Sequence, residues 1–152
     1  MTRRHTHAGL ALLAAAGAAL AAAPAPPPVL DAVFPAGRQT LSFEQLAARA
    51  ALGPGEGLRV EELARDAATS HHVVALRDRE TPHRHERHDL LVVMVEGHGF
   101  MRLGDEERPV GEGSILYVPR GTLHAFRNAG GAPAVAYAVY LPAFDGVDRV
   151  TE

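Results

Sequence analysis

Pro82-His83-Arg84-His85-Glu86-Arg87-His88-Asp89 leads into the apolar run Leu90-Leu91-Val92-Val93-Met94-Val95 and then Gly97-His98-Gly99. Further on stands Gly113-Ser114-Ile115-Leu116-Tyr117-Val118-Pro119-Arg120-Gly121-Thr122-Leu123-His124-Ala125-Phe126-Arg127-Asn128. Side chains on a strand alternate with period two, so His83 and His85 share one face and both imidazoles can point at one ion. His124 arrives later, after a glycine-flanked strand and a Pro-x-Gly turn. Taken alone, the run around His83 and His85 is polar and charged and reads more readily as a solvated loop than as a metal site. The second stretch shifts that reading toward a metal site with three imidazole ligands.

Outward from these stretches the chain reads as short strands: 58–63, 69–77, 89–96, 99–103, 107–110, 114–118, 123–128 and 133–141. Turn residues separate them: Gly97, Gly104-Asp105, Gly111, Gly113, Pro119 to Gly121, and Gly130-Gly131. Strands this short at this spacing predict an all-β sandwich or barrel. The unbroken apolar run 90–95 predicts a strand covered on both faces, one side toward the barrel interior and the other toward a strand, helix or partner subunit. The absence of an internal repeat predicts one barrel.

These residues resemble the cupin family, in its small single-domain, type-2 form. The second cupin motif, G-x5-P-x-G-x2-H-x3-N, is matched at Gly113, Pro119, Gly121, His124 and Asn128. The first, G-x5-H-x-H-x3-4-E-x6-G, is matched at His83, His85 and Gly97, while Arg77 replaces its opening glycine and its glutamate is missing. The resemblance spans roughly residues 58 to 142. It implies a double-stranded β-helix, or jelly-roll, barrel with a divalent transition metal inside. It also implies pairing into a homodimer through sheet edges.

The missing glutamate leaves the fourth ligand open. Counted back from Gly97, its place holds Leu90, which cannot ligate. If the strand starts cleanly before Leu90, parity turns His88 inward; a bulge turns Asp89 inward instead. A site of three histidines completed by water is the third possibility. Imidazole suits Fe, Ni, Cu, Zn and, less selectively, Mn, and nothing in the sequence selects among them. His98, between two glycines, reads as a solvent-facing tip. His71 and His72 begin a strand, and parity allows only one of them to face inward. Gly113, Pro119 and Gly121 shape turns, and Asn128 is expected to bond backbone at a strand end.

Thr2-Arg3-Arg4-His5 followed by the alanine- and leucine-rich run 8–23 has the layout of a secretory signal peptide, with Ala19-Leu20-Ala21 as the cleavage site. The expected organisation is a signal peptide over 1–21, a Pro-rich extended linker over 22–40, a helix and connection over 41–57, and the barrel over 58–152. The helix is expected over 42–52, with Ser42 and Gln45 as its capping box and Leu41 and Leu46 as a hydrophobic staple. Phe43, Leu46, Ala47 and Ala50 form its packing face. Processing implies an exported, periplasmic or extracellular protein with no stable membrane insertion.

Composition narrows the chemistry. The 152 residues include no cysteine, and all 15 basic residues are arginine, so thiol and Schiff-base catalysis are both excluded. The formal charge of -3, without a basic stripe, argues against nucleic acid as a partner. The three serines, Ser42, Ser70 and Ser114, lie outside any nucleophile-elbow context. Two functions follow. One is a small metal-dependent enzyme, with oxygenase chemistry on an unidentified small molecule as its leading form. The other is a non-catalytic module that captures a small ligand or metal. A Tyr or His in the pocket beside an open metal position would favour the enzyme.

Overall fold

The computed structural model describes residues 24–152. The expected signal peptide over 1–21 lies outside the described residues. Strand β1 (Val29–Phe34) and β2 (Gly37–Ser42) form a hairpin, followed by helix α1 (Phe43–Arg49). Then come β3 (Leu58–Arg65), β4 (Ser70–Leu76), β5 (His83–Arg84), β6 (Asp89–Glu96) and β7 (His98–Leu103). The chain continues with β8 (Glu106–Gly111), β9 (Ile115–Val118), β10 (His124–Asn128), β11 (Ala134–Leu141) and β12 (Val150–Thr151). Two five-stranded antiparallel sheets result, ordered β12-β5-β10-β7-β8 and β3-β4-β11-β6-β9. This is the expected all-β double-stranded β-helix. Among the described residues no helix is long and apolar enough to cross a membrane.

The apolar run on β6 is divided as its period-two geometry requires. Leu90 and Val92 enter the cluster between the two sheets, with Met101, Val118, Ala138 and Phe126. Val95 points the other way, into a second cluster with Val73, Ala75 and Val135. That outer cluster is closed by Leu46 and Ala50, with Leu30, Leu41, Phe43 and Ala47 packed against it. The covering layer is therefore α1 together with the β1–β2 hairpin.

This corrects one expectation. Part of the stretch read as an extended linker over 22–40 is instead a paired hairpin, in register from Val29↔Ser42 to Phe34↔Gly37. Val29, Asp31 and Val33 are exposed, while Leu30, Ala32 and Phe34 turn inward, an alternation that the neighbouring prolines obscured. Arg38 and Thr40 bond across to Asp31 and fix the pairing. The capping box is present: Gln45 N–H donates to Ser42 Oγ at 3.1 Å, and Ser42 N–H donates to Gln45 Oε1 at 2.8 Å. Helix α1 ends at Arg49, before the expected stop at Gly53-Pro54, because Ala50 already leaves helical geometry.

Candidate metal centre

Three elements converge at one end of the barrel. β5 carries His83, with His85 just beyond it, and β10 opens with His124 directly opposite His83 in the ladder. The Pro119–Gly121 turn ties the two histidine stretches together, since Gly121 N–H donates to the His85 carbonyl at 2.7 Å. Gly121 holds φ +79 there, a left-handed backbone that glycine adopts without a Cβ clash. All three imidazoles are buried, and one nitrogen of each lies within 4.8 Å of the others. Ring centroids stand 4.3 Å apart for His83 and His124, and 5.2 and 5.3 Å for His85 with each of them.

The hydrogen bonds fix which nitrogen faces the centre. Nδ1 of His83 donates to the Thr81 carbonyl at 3.0 Å, and Nδ1 of His124 to that of Thr122 at 2.9 Å. Nδ1 of His85 donates to the carbonyl of Asp148. Each ring thus carries its proton on Nδ1 and keeps a lone pair on Nε2, as an imidazole ligand must. Nε2 of His85 and of His124 is buried without any protein partner. Buried polar atoms are rarely left so, and a cation at the centre would satisfy both. Burial, with His124 and Arg149 nearby, pushes the His83 imidazole down to about 3. Burial also lowers His85, despite its bond to Asp148. Both rings are therefore neutral at pH 7. The residues present fit a metal.

His88 and Asp89 are not brought to this cluster. β6 begins at Asp89 with Leu90 inward, so Asp89 faces outward and takes a two-pronged ion pair from Arg120, at 3.0 and 2.9 Å. The Arg120 side chain, foremost, holds its carboxyl well below the usual range. His88 is buried but turned onto the C-terminal segment: Nδ1 bonds the Asp148 carboxylate and Nε2 lies 3.2 Å from the Ala143 carbonyl. Both of its nitrogens are thus turned onto acceptors of that segment and away from the three-histidine cluster. His98 is exposed, as expected of a tip. Asn128 bonds backbone, donating to the carbonyls of Arg77 and Ala132 at 2.9 and 2.7 Å.

Asp148, Tyr140 and Glu80 are residues that sequence reading missed. The buried Asp148 carboxylate accepts the backbone N–H of Glu86 at 3.0 Å and of Arg87 at 2.8 Å, besides the His88 ring. Burial opposes its ionisation, but the bonds from His88, Arg87 and Glu86 outweigh that and hold it ionised. One residue therefore orients His85 through its carbonyl and folds the loop after it through its carboxylate. β12 completes the strap by pairing with β5. Beside the histidines opens a cavity of about 240 Å³ lined by Val74, Leu90, Met94 and Met101, with His72, Tyr140, Glu80 and Arg149 as its polar groups. The Tyr140 ring meets those of His72 and His85 edge-on, each at 5.2 Å. Burial pushes its phenol up to about 12, so it stays protonated. His72 faces the cavity, while His71 packs outward against Phe34 and bonds the Tyr137 hydroxyl at 2.6 Å.

Comparison with known proteins agrees with the fold. A family model described as "Cupin domain" matches residues 70–140. An uncharacterized protein of Aquifex aeolicus is 32% identical over 98 residues, covering 64% of this chain and 80% of that protein. An uncharacterized conserved Klebsiella pneumoniae protein, described as having a double-stranded beta-helix domain, aligns with TM-score 0.61 at 14% identity, over 70% of this chain and 94% of the other. Streptomyces Pac13, described as a nucleoside dehydratase, aligns with TM-score 0.51 at 19% identity, over 61% and 84%. At such identities the two structures establish the shared fold alone.

Proposed function

The chain belongs to the cupin family, and from that premise we propose that it is a small metal-dependent enzyme whose centre is held by His83, His85 and His124. The observation that carries this reading is the pair of orphaned, buried Nε2 atoms of His85 and His124 beside an apolar cavity containing Tyr140 and His72. A divalent Fe, Mn, Ni, Cu or Zn ion bound there would act as a Lewis acid or, for Fe, Ni or Cu, support oxygen chemistry.

This chain's own residues supply the rest. The Nδ1 bonds to Thr81, Asp148 and Thr122 hold the three rings in the ligating tautomer. Leu90, Val74, Met94 and Met101 exclude water and receive the apolar body of a small molecule. Tyr140, protonated and buried against His85, is placed to donate a hydrogen bond or proton to a bound ligand. Oxygenase activity is the leading form, because three protein ligands leave positions for both substrate and oxygen. The second reading, a non-catalytic module that captures a ligand or metal, is favoured by the short β7–β8 hairpin between the two motifs, which leaves no extended lid. We further propose an exported protein whose mature chain begins near Ala22, and a homodimer.

The deciding experiment is elemental analysis of the purified protein, prepared with and without oxygen, followed by oxygen uptake with candidate small molecules. One equivalent of Fe, Ni or Cu with substrate-dependent uptake supports the oxygenase. Bound Zn with no uptake removes oxygenase chemistry and leaves Lewis-acid catalysis or capture. No bound metal after reconstitution would sink the whole reading. Intact mass of protein from a periplasmic extract tests the processing site.

A further inference from the structure

Three buried side-chain nitrogens lack partners among the described residues: Nε2 of His85, Nε2 of His124 and Nδ1 of His72. The first two belong to the metal centre. The third does not, because His72 stands outside the set of converging ligand atoms while still lining the cavity. Its surroundings determine its proton. His72 Nε2 lies 2.9 Å from the hydroxyl of Ser70, which is fully buried. The same hydroxyl oxygen accepts the backbone N–H of Phe144 at 2.9 Å. Two arrangements are open. If His72 carries its proton on Nε2, both the Ser70 hydroxyl proton and the Nδ1 lone pair are stranded. If Ser70 donates to Nε2, only one group is left over, the Nδ1–H. Buried groups settle into the arrangement with fewest orphans. Burial also lowers the pKa of the ring, so it carries a single proton.

We propose that His72 is locked by Ser70 and Phe144 in the Nδ1–H form and donates that hydrogen to an acceptor oxygen, carboxylate or carbonyl, of the cavity's ligand. His72 is then a ligand-positioning group and, having no lone pair toward the cavity, is not a fourth metal ligand. The Phe144 contact places this lock under the same C-terminal segment that orients His85. The ligand class deepens the metal-enzyme reading and rests on it, but the tautomer does not.

The test has two arms. Long-range proton–nitrogen NMR on the metal-free full-length chain should show a protonated nitrogen at Nδ1 of His72 and a bare one at Nε2; the opposite pattern overturns the proposal whatever the metal does. Ser70→Ala should release the lock and populate the Nε2–H form. In the second arm, the zinc-loaded protein is titrated with acetate and acetamide, one probe for each oxygen type. At least one should bind and shift the His72 Nδ1–H resonance. His72→Phe should weaken that binding about 10-fold, the scale of one lost hydrogen bond to a charged or strongly polar group. His72→Asn, which retains a donor near the same place, should recover most of it. Failure of both probes to bind, or equal binding by wild type and His72→Phe, would overturn the donor role. Failure of zinc to bind would instead count against the metal centre and leave the tautomer result standing.

Discussion

Asp148 sits 60 residues and more from the ring it steadies, yet it sets the position of His85 and the shape of the loop beyond it. Replacing it with alanine should remove two loop N–H bonds and the His88 partner. Metal affinity should fall about 10- to 100-fold, as for other losses of groups that orient ligands. Equilibrium dialysis measures this. His124→Ala should lose the metal outright, while His98→Ala should retain one equivalent. The burial of uncharged imidazoles also fixes a pH dependence. His83 is held neutral down to about 3 in the fold, whereas the unfolded chain protonates near the ordinary value of about 6.5. Between those values the unfolded state binds more protons, so stability falls as pH drops through that window and is unaffected by this group above it. Thermal melts of metal-free protein should show that decline, and acid should release bound metal earlier because protons compete for Nε2. The three histidines that the fold clusters were legible because their spacing and turn residues are local. Asp148 was not, since an aspartate in Asp145-Gly146-Val147-Asp148 looks like any surface turn until the strap folds it inward.

Elements were legible wherever one face of a strand had to be apolar. β6, β7, β10 and β11 match their expected ranges to within a residue at either end, because period-two patterning and flanking glycines bound them. β5 and β12 escaped, being two-residue strands whose pairing is set by tertiary contact rather than by pattern. The β1–β2 hairpin escaped because prolines preceding it signal extended chain, while its alternation is short. Helix α1 was placed by its cap, and Ser42→Ala should cost about 1 kcal/mol of unfolding free energy in urea titration. A sharper test lies between β7 and β10. A Cβ on Gly99 would come within 2.2 Å of the Arg127 carbonyl and 2.6 Å of the Phe126 ring. Gly99→Ala should therefore force the ladder apart and cost about 3 kcal/mol, the upper range for overpacking. Because Phe126 lines the cavity and β10 begins at His124, the same variant should also weaken metal binding. Gly104 has open space around its Cβ position, so Gly104→Ala should bear only the penalty of its left-handed φ.

At the scale of the molecule, β9 is one of four strands that end the two five-stranded sheets among the described residues, and it joins an apolar strip to its free edge. α1 and the hairpin close the outer face over β4 and the far end of β6, but β9 lies at the margin with Ile115 70% and Tyr117 56% exposed. Their strand neighbours on β6, Leu91 and Val93, are only partly buried, so the apolar strip is continuous across two strands. An edge strand of this kind presents unpaired N–H and C=O groups beside an apolar surface, a combination that soluble proteins cover or blunt. Blunting is weak here, because Ile115-Leu116-Tyr117-Val118 carries no charge or proline within the strand. A second copy related by a two-fold axis would pair β9 with its own counterpart, antiparallel, and set the two strips against each other, which is the self-complementary form that a homodimer requires. The predicted species in analytical ultracentrifugation is therefore a dimer at micromolar concentration. Ile115→Glu with Tyr117→Glu should shift it to monomer, because four like charges would then meet across the axis. Neither side chain lines the cavity beside the histidines, so any metal stoichiometry measured for the wild type should stay unchanged in that variant. A wild-type monomer across the whole concentration range would defeat this assembly, and a double variant that still dimerises would move the interface to another edge.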